Sequence, residues 1–191
     1  LSAHSSFTSY IFPTGLKFNK LDLEINLEGE RSECNLQSAS FLNNNEHQEV
    51  KTRVNHLFPN CKSYQKVKNV LTADSKGVYQ GKIFVKDVAQ KTDAYQLSKA
   101  ILLSGGSEFD SKPELEIYAD DVKCSHGSTS GSLDKDSIYY LMTRGLSKKE
   151  STKLLVNGFL NEVADSIKSE SIKKFIKIKL DNQLLDEYKK H

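Results

Sequence analysis

Six short pieces follow one another between Glu49 and His126: EVKTRVNHLF (49–58), SYQKVKNVLT (63–72), GVYQGKIFVK (77–86), AYQLSKAILL (94–103), ELEIYA (114–119) and VKCSH (122–126). Each suits a strand, and turn residues separate them: Pro59-Asn60, Asp74 to Gly77, Asp87, and Ser104 to Ser107. No helical period intervenes, which excludes alternation of strands and helices. A sandwich, a barrel and a parallel β-helix remain. Sandwich hairpins favour Asn-Gly or Asp-Gly turns, which this part of the chain lacks, while short strands with polar corners suit stacked coils.

Upstream the same texture continues. FTSYI (7–11) reads as a strand ended by Pro13 and Gly15. Leu21, Leu23, Ile25 and Leu27 alternate with Asp22, Glu24 and Asn26, the period of a half-buried strand, which Gly29 closes. Cys34, Leu36 and Phe41 are expected to turn inward on the next strand, before a polar corner at Asn43 to Asn45.

After Gly131 the period changes to that of helices. Asp134 can cap a helix through IYYLM to Arg144, with Gly145 as its stop. Ser147-Lys148-Lys149-Glu150 is a capping box that opens a helix reaching Ile167. On it Leu155, Phe159, Val163 and Ile167 recur every four residues, with Val156, Leu160 and Ala164 beside them. That broad apolar face is expected to close the end of the solenoid. Ile172, Phe175, Ile176 and Lys179, then Leu184, Leu185 and Tyr188, predict one or two more helices with a break near Asp181 and Asn182. The lysines at 173, 174, 177, 179, 189 and 190 read as a solvated helical face.

The 191 residues suffice for one sizeable domain with a small helical appendage, divided as 1–131 and 132–191. An apolar content of 37% beside 27% charged residues is that of a folded soluble chain. The net charge of +2 gives no footprint for nucleic acid, and no stretch is apolar enough to span a bilayer. Cys34, Cys61 and Cys124 form no C-x-x-C pair, which argues against a disulfide framework and fits a reducing cytoplasm or plastid stroma.

Phosphate-loop, dinucleotide and nucleophile-elbow motifs are absent. Asp120 and Asp121, being adjacent, face opposite ways in an extended chain and read as a solvated corner. His56 and Cys61 flank Pro59-Asn60 and read as structural rather than as metal ligands. Cys124 and His126 differ: two residues apart in a strand, they present a thiol and an imidazole on one face. A buried thiol with a hydrogen-bonded turn histidine is the bland alternative. Beside any family resemblance two readings stand: a purely structural β-solenoid interaction protein, and a β-helical acyltransferase or carbohydrate-active enzyme, for which no convincing pair of acids is found.

The segment SKPELEIYADDVKCSHGSTSGSLDKDSIYYLMTRGLS (111–147), with GVYQGKIFVKDVAQKTDAYQLSKAILLS (77–104) before it, resembles the SufB/SufD family of the Suf iron–sulfur cluster assembly machinery. The string Lys-Cys-Ser-His-Gly at 123–127 points to the SufD side of that family. The resemblance weakens before about Asn43 and after about Lys168. It implies a mainly β fold, a right-handed parallel β-helix followed by a C-terminal helical subdomain, and a chain that is the C-terminal part of a longer protein. It further implies a non-catalytic scaffold that pairs with SufB and docks the SufC ATPase on its helices, with Lys148, Lys149, Leu155 and Phe159 in the docking region. Cys124 and His126 would then meet a transient iron–sulfur cluster shared with SufB, since four ligands are normally needed and the chain supplies too few nearby. No cofactor is expected in the isolated chain. The exposed edge of its first coil is expected to favour self-association.

Overall fold

A computed structural model describes the backbone of residues 1–189 and the side chains of residues 1–184. The strands are β1 (Ser6–Ile11), β2 (Phe18–Leu27), β3 (Glu33–Leu42), β4 (His47–His56), β5 (Lys62–Leu71), β6 (Lys76–Val85), β7 (Asp93–Leu102), β8 (Glu108–Ile117) and β9 (Lys123–Gly131). The helices α1 (Lys135–Thr143), α2 (Lys148–Asp165) and α3 (Glu170–Lys189) follow. Odd-numbered strands form one parallel sheet, A, in the order β1-β3-β5-β7-β9, and even-numbered strands form the second, B, in the order β2-β4-β6-β8. This is a parallel β-solenoid of about four turns, as the family resemblance implies.

Each coil is one strand of each sheet joined by polar corners. Glu33 lies beside Lys62, Lys62 beside Asp93 and Asp93 beside Lys123, so successive coils advance by 29, 31 and 30 residues. That period was visible in one place: SYQKVKNVL (63–71) and AYQLSKAIL (94–102) share Tyr-Gln, Lys and Leu at matched positions. Elsewhere substitution within the coil erases it, because the fold demands only alternation and permissive corners.

The corners explain their own residues. Arg31, Asn60 and Lys91 all take φ near +60° and stack on one another, each amide donating to a carbonyl of the next coil. At the opposite corner Asn44 and Asn45, then Ala73 and Asp74, are left-handed. Asparagine tolerates that region and alanine does not. Ala73→Asn, which copies Asn44 one coil earlier, is therefore expected to gain about 0.5–1 kcal/mol in urea unfolding. A loss of stability would mean that this corner is not left-handed.

Between the sheets, inward residues of β3 to β9 fill the solenoid: Leu36 and Val54, then Val67, Val50 and Tyr79, then Ile83, Ala94 and Ala119 are buried. A second core lies outside it. Ala39, Phe41 and Val70 point away from the interior of sheet A and are buried by Val156, Leu160, Val163, Ala164, Leu180 and Leu184 of α2 and α3. Phe41 is thus buried but outward, not inward. The helices consequently cover the face of sheet A over β3 and β5 instead of closing the solenoid's end, because the apolar outward row Phe41, Val70 and Ile101 offers them a floor.

Helix boundaries follow the sequence signals. Asp134 accepts from the Asp136 and Ser137 amides, Gly145 takes φ +94°, and Ser147 with Glu150 forms the reciprocal capping box. α3 is continuous through Asp181 and Asn182, where a break was expected. Asp181 Oδ1 there accepts from Asn157 Nδ2 of α2 at 2.7 Å, so the polar pair ties two helices together. Leu185 and Tyr188 lie beyond the residues whose side chains are described, as do Lys189 and Lys190.

Candidate functional site

β9 is the last strand of sheet A, and among the described residues it pairs with β7 alone. Its inward side chains, Cys124, His126 and Ser128, therefore stand on an uncovered rung. Parallel register puts Cys34, Ser63, Ala94 and Cys124 in one row, and Leu36, Gln65, Gln96 and His126 in the next. Side by side as the spacing predicts, the two candidates differ in exposure. Cys124 is half-buried against Ile83, Val85, Ala94 and Ala119, whereas His126 is exposed.

Burial pushes the Cys124 thiol up, against a smaller downward pull from the Ala94 backbone. A thiol raised this way is protonated at neutral pH and becomes a ligand only by losing a proton to a metal.

Behind His126 runs a polar seam inside the solenoid. Thr52 Oγ1 donates to Gln65 Oε1 at 2.6 Å, and the Tyr79 hydroxyl reaches Gln65 Oε1 at 3.4 Å and Gln96 Oε1 at 3.3 Å. Gln96 Nε2 donates to the carbonyls of Gly81 and Glu114. Gly81 leaves room for the seam, since a Cβ would lie 2.3 Å from both Gln96 Oε1 and the Tyr79 oxygen and would push them aside. The Ser98 hydroxyl links Ser111 at 2.7 Å to Ser128 at 3.0 Å on the terminal rung. Such a seam restrains side-chain positions behind the rung, because losing a partner strands a buried polar atom, as Gln65 Nε2 already is among the described residues. The alternation pattern alone did not reveal it; inward glutamines and serines look like corner residues in a linear sequence.

The remaining cysteines fall elsewhere. Cys34 and Cys61 share one core cluster, remote from that of Cys124. Three strand steps separate Cys34 from Cys124, ~14 Å at the usual interstrand spacing. Burial drives the Cys34 thiol up to about 12, and the Cys61 thiol sits within hydrogen-bond range of Ser32 Oγ and the Gly29 carbonyl. His56 is buried on Ser63 Oγ at 2.8 Å, so His56 and Cys61 serve packing. Asp120 and Asp121 form an exposed corner. Among the described residues no three His, Cys, Asp or Glu side chains gather as a metal site.

The helical candidates separate likewise. Lys148 and Lys149 lie in the exposed first turn of α2. Leu155 lines a shallow dent of about 420 Å³ between α1 and α2 with Leu154, Tyr140 and Leu141. Phe159 instead faces the solenoid, its ring 4.3 Å from Lys68 Nζ. Exposed Tyr139, Tyr140, Met142 and Leu154 form the apolar surface of this hairpin. Their signal in the sequence is the aromatic pair Tyr139-Tyr140 with Met142 on the short helix α1, which buries none of its residues.

Under α2, Glu162 receives Lys66 Nζ at 2.7 Å and is paired with Lys68, which is 2% exposed. Partial burial raises the Glu162 carboxyl, but the two ammonium groups outweigh it and hold it near 2. Burial lowers the Lys68 ammonium more than its carboxylate raises it. No helix among the described residues is long and apolar enough to cross a membrane.

Residues 1–159 match the family model described as SUF system FeS cluster assembly, SufBD core domain. SufD of Escherichia coli K12 is 30% identical over 184 residues, 96% of this chain and 44% of that protein. SufD of Plasmodium falciparum is 29% identical over 176 residues, 91% of this chain and 12% of that protein. The chloroplastic protein ABCI7 of Arabidopsis thaliana is 27% identical over 172 residues, 90% of this chain and 36% of that protein. The chain thus spans less than half the length of these relatives. With most of its residues inside the matched model and its strands in the same continuous block, the chain belongs to the SufBD core family of the SUF iron–sulfur cluster assembly system.

Proposed function

We propose that this chain is the scaffold part of a SufD-type subunit, performing no reaction of its own and presenting His126 to a nascent iron–sulfur cluster at a junction with SufB. The observation that carries this reading is the terminal rung: a free strand edge on β9 beside one exposed imidazole and one half-buried thiol. Two donors cannot fill the four-ligand set such clusters usually need, so the balance comes from the partner strand laid against β9. Imidazole and thiolate both suit iron. The cluster is cargo here rather than a resident cofactor.

On the same reading the SufC ATPase docks on the α1–α2 hairpin, where Tyr139, Tyr140, Met142 and Leu154 are exposed beside Leu155, Lys148 and Lys149. Three unbridged cysteines suit a reducing cytoplasm or plastid stroma.

His126→Ala tests the central claim. Because the imidazole is exposed on the terminal strand, its loss should leave the melting temperature unchanged while cluster assembly by the reconstituted complex falls roughly 10- to 100-fold. Complementation of a suf-dependent strain should fail in parallel. Normal growth would remove His126 from the mechanism, and a fallen melting temperature would return it to a structural role. Cys124→Ser is the companion: if it alone blocks assembly, the thiol is the ligand.

A further inference from the structure

The helical layer is held unevenly. The C-terminal half of α2 makes directional contacts with sheet A: Glu162 takes Lys66 and Lys68, Ser166 Oγ donates to Gln37 Oε1 at 3.0 Å, and the Tyr10 hydroxyl donates to the Ser166 carbonyl at 2.8 Å. Lys68 Nζ also donates to the Phe159 carbonyl at 3.1 Å. The N-terminal half differs: of α2 before Val156 only Ser151 is buried, and none of α1 is. α1 packs chiefly on α2.

Apolar contact alone does not define where a helix sits along a sheet. Val156, Leu160, Val163 and Ala164 over Ala39, Phe41 and Val70 would tolerate a small slide or roll at little cost. A buried ammonium tolerates neither, because any displacement that parts Lys68 from its carboxylate strands a charge away from water. We infer that the Lys66–Glu162–Lys68 clasp sets the register of α2 on sheet A, so that α1 and the first two turns of α2 form a lever pivoting on Glu162. Glu162 is a positioning residue. The lever is a matter of geometry; its use, carrying ATPase movement into the solenoid, rests on the function proposed above.

The alternative role for the clasp is plain adhesion, and distances separate the two. Nitroxide labels are placed on Tyr139→Cys of α1 and Val88→Cys, an exposed corner of the solenoid, in a Cys124→Ser background, and the label-to-label distribution is read by double electron–electron resonance. Glu162→Gln keeps the shape and removes the charge; Lys68→Met with Glu162→Leu replaces the clasp by apolar packing. Both should broaden the distribution about twofold, while the apolar pair keeps the parent melting temperature, since a buried ion pair is often replaceable without loss of stability. A narrow distribution in the apolar pair shows adhesion only and overturns the inference, as does an unchanged distribution in Glu162→Gln. ATP-dependent cluster assembly by the reconstituted complex carrying the apolar pair is measured separately. Broadened distances with full assembly would leave the lever standing and overturn its proposed use.

Discussion

Phe41→Ala is expected to cost about 4 kcal/mol, the largest effect of any single truncation proposed for this chain. The ring is 2% exposed and occupies the one place where solenoid and helices share a core, with Val70 beside it on sheet A and Val156, Leu160 and Val163 above. The cavity left by a phenyl ring is lined from two layers that cannot collapse together without moving α2 off the sheet. Helix signal at 222 nm should therefore melt before the β-sheet signal in the variant, whereas the parent loses both together. Phe84, half-buried on the outer side of sheet B against Tyr118, is the control, and Phe84→Ala should cost under about 1 kcal/mol. A loss below about 1.5 kcal/mol at Phe41 would show that the helices do not rest on this residue.

Acidification should produce the second large effect, through His56. The ring is fully buried, one nitrogen is engaged by Ser63 Oγ, and Nδ1 has no partner among the described residues. Burial disfavours the imidazolium and moves its midpoint from 6.5 down to about 4. Between those values the unfolded chain binds a proton that the folded chain refuses, so stability is complete above pH 6.5 and falls as the pH drops toward 4. The accumulated loss is about 3 kcal/mol. His56→Gln should flatten the profile in that window while leaving a further decline at lower pH. That further decline belongs to Glu162, whose carboxyl is held down from 4.5 to about 2, so that its contribution is full above 4.5 and is lost as the pH falls toward 2. Urea midpoints measured from pH 7.5 to 2 give both windows. An unchanged profile in His56→Gln would place the acid sensitivity elsewhere.

Fold class was legible because β-alternation and helical periodicity do not mix in this chain. Leu21, Leu23, Ile25 and Leu27 could satisfy only a strand, while Asp134, Gly145 and the Ser147–Glu150 box mark helix ends through bonds made within four residues. What failed had a different physical basis. Asp181 and Asn182 looked like a break because their intrinsic helix preference is weak, and α2 overrides it by supplying Asn157. Phe159 sat on the apolar stripe and looked available to a partner, but sheet A lies against it with Lys68. Phe41 reads as inward but belongs to the core outside sheet A, since a strand buried on both faces carries apolar residues on each and its pattern does not say what covers them.

By itself the sequence determined the strands, the corners, the helix caps and the pairing of a thiol with an imidazole at Cys124 and His126, all of which depend on neighbours within a few residues. Tertiary structure decided everything that depends on the stacking of coils: which strand is last, and therefore that His126 stands uncovered; that Cys34 and Cys61 belong to a different core from Cys124; and that Lys68 lies beneath Glu162, 94 positions away. A solenoid brings residues together at multiples of its coil length. Only the folded register makes that length an address, because turn lengths at the corners vary and each added residue would otherwise shift every row beyond it.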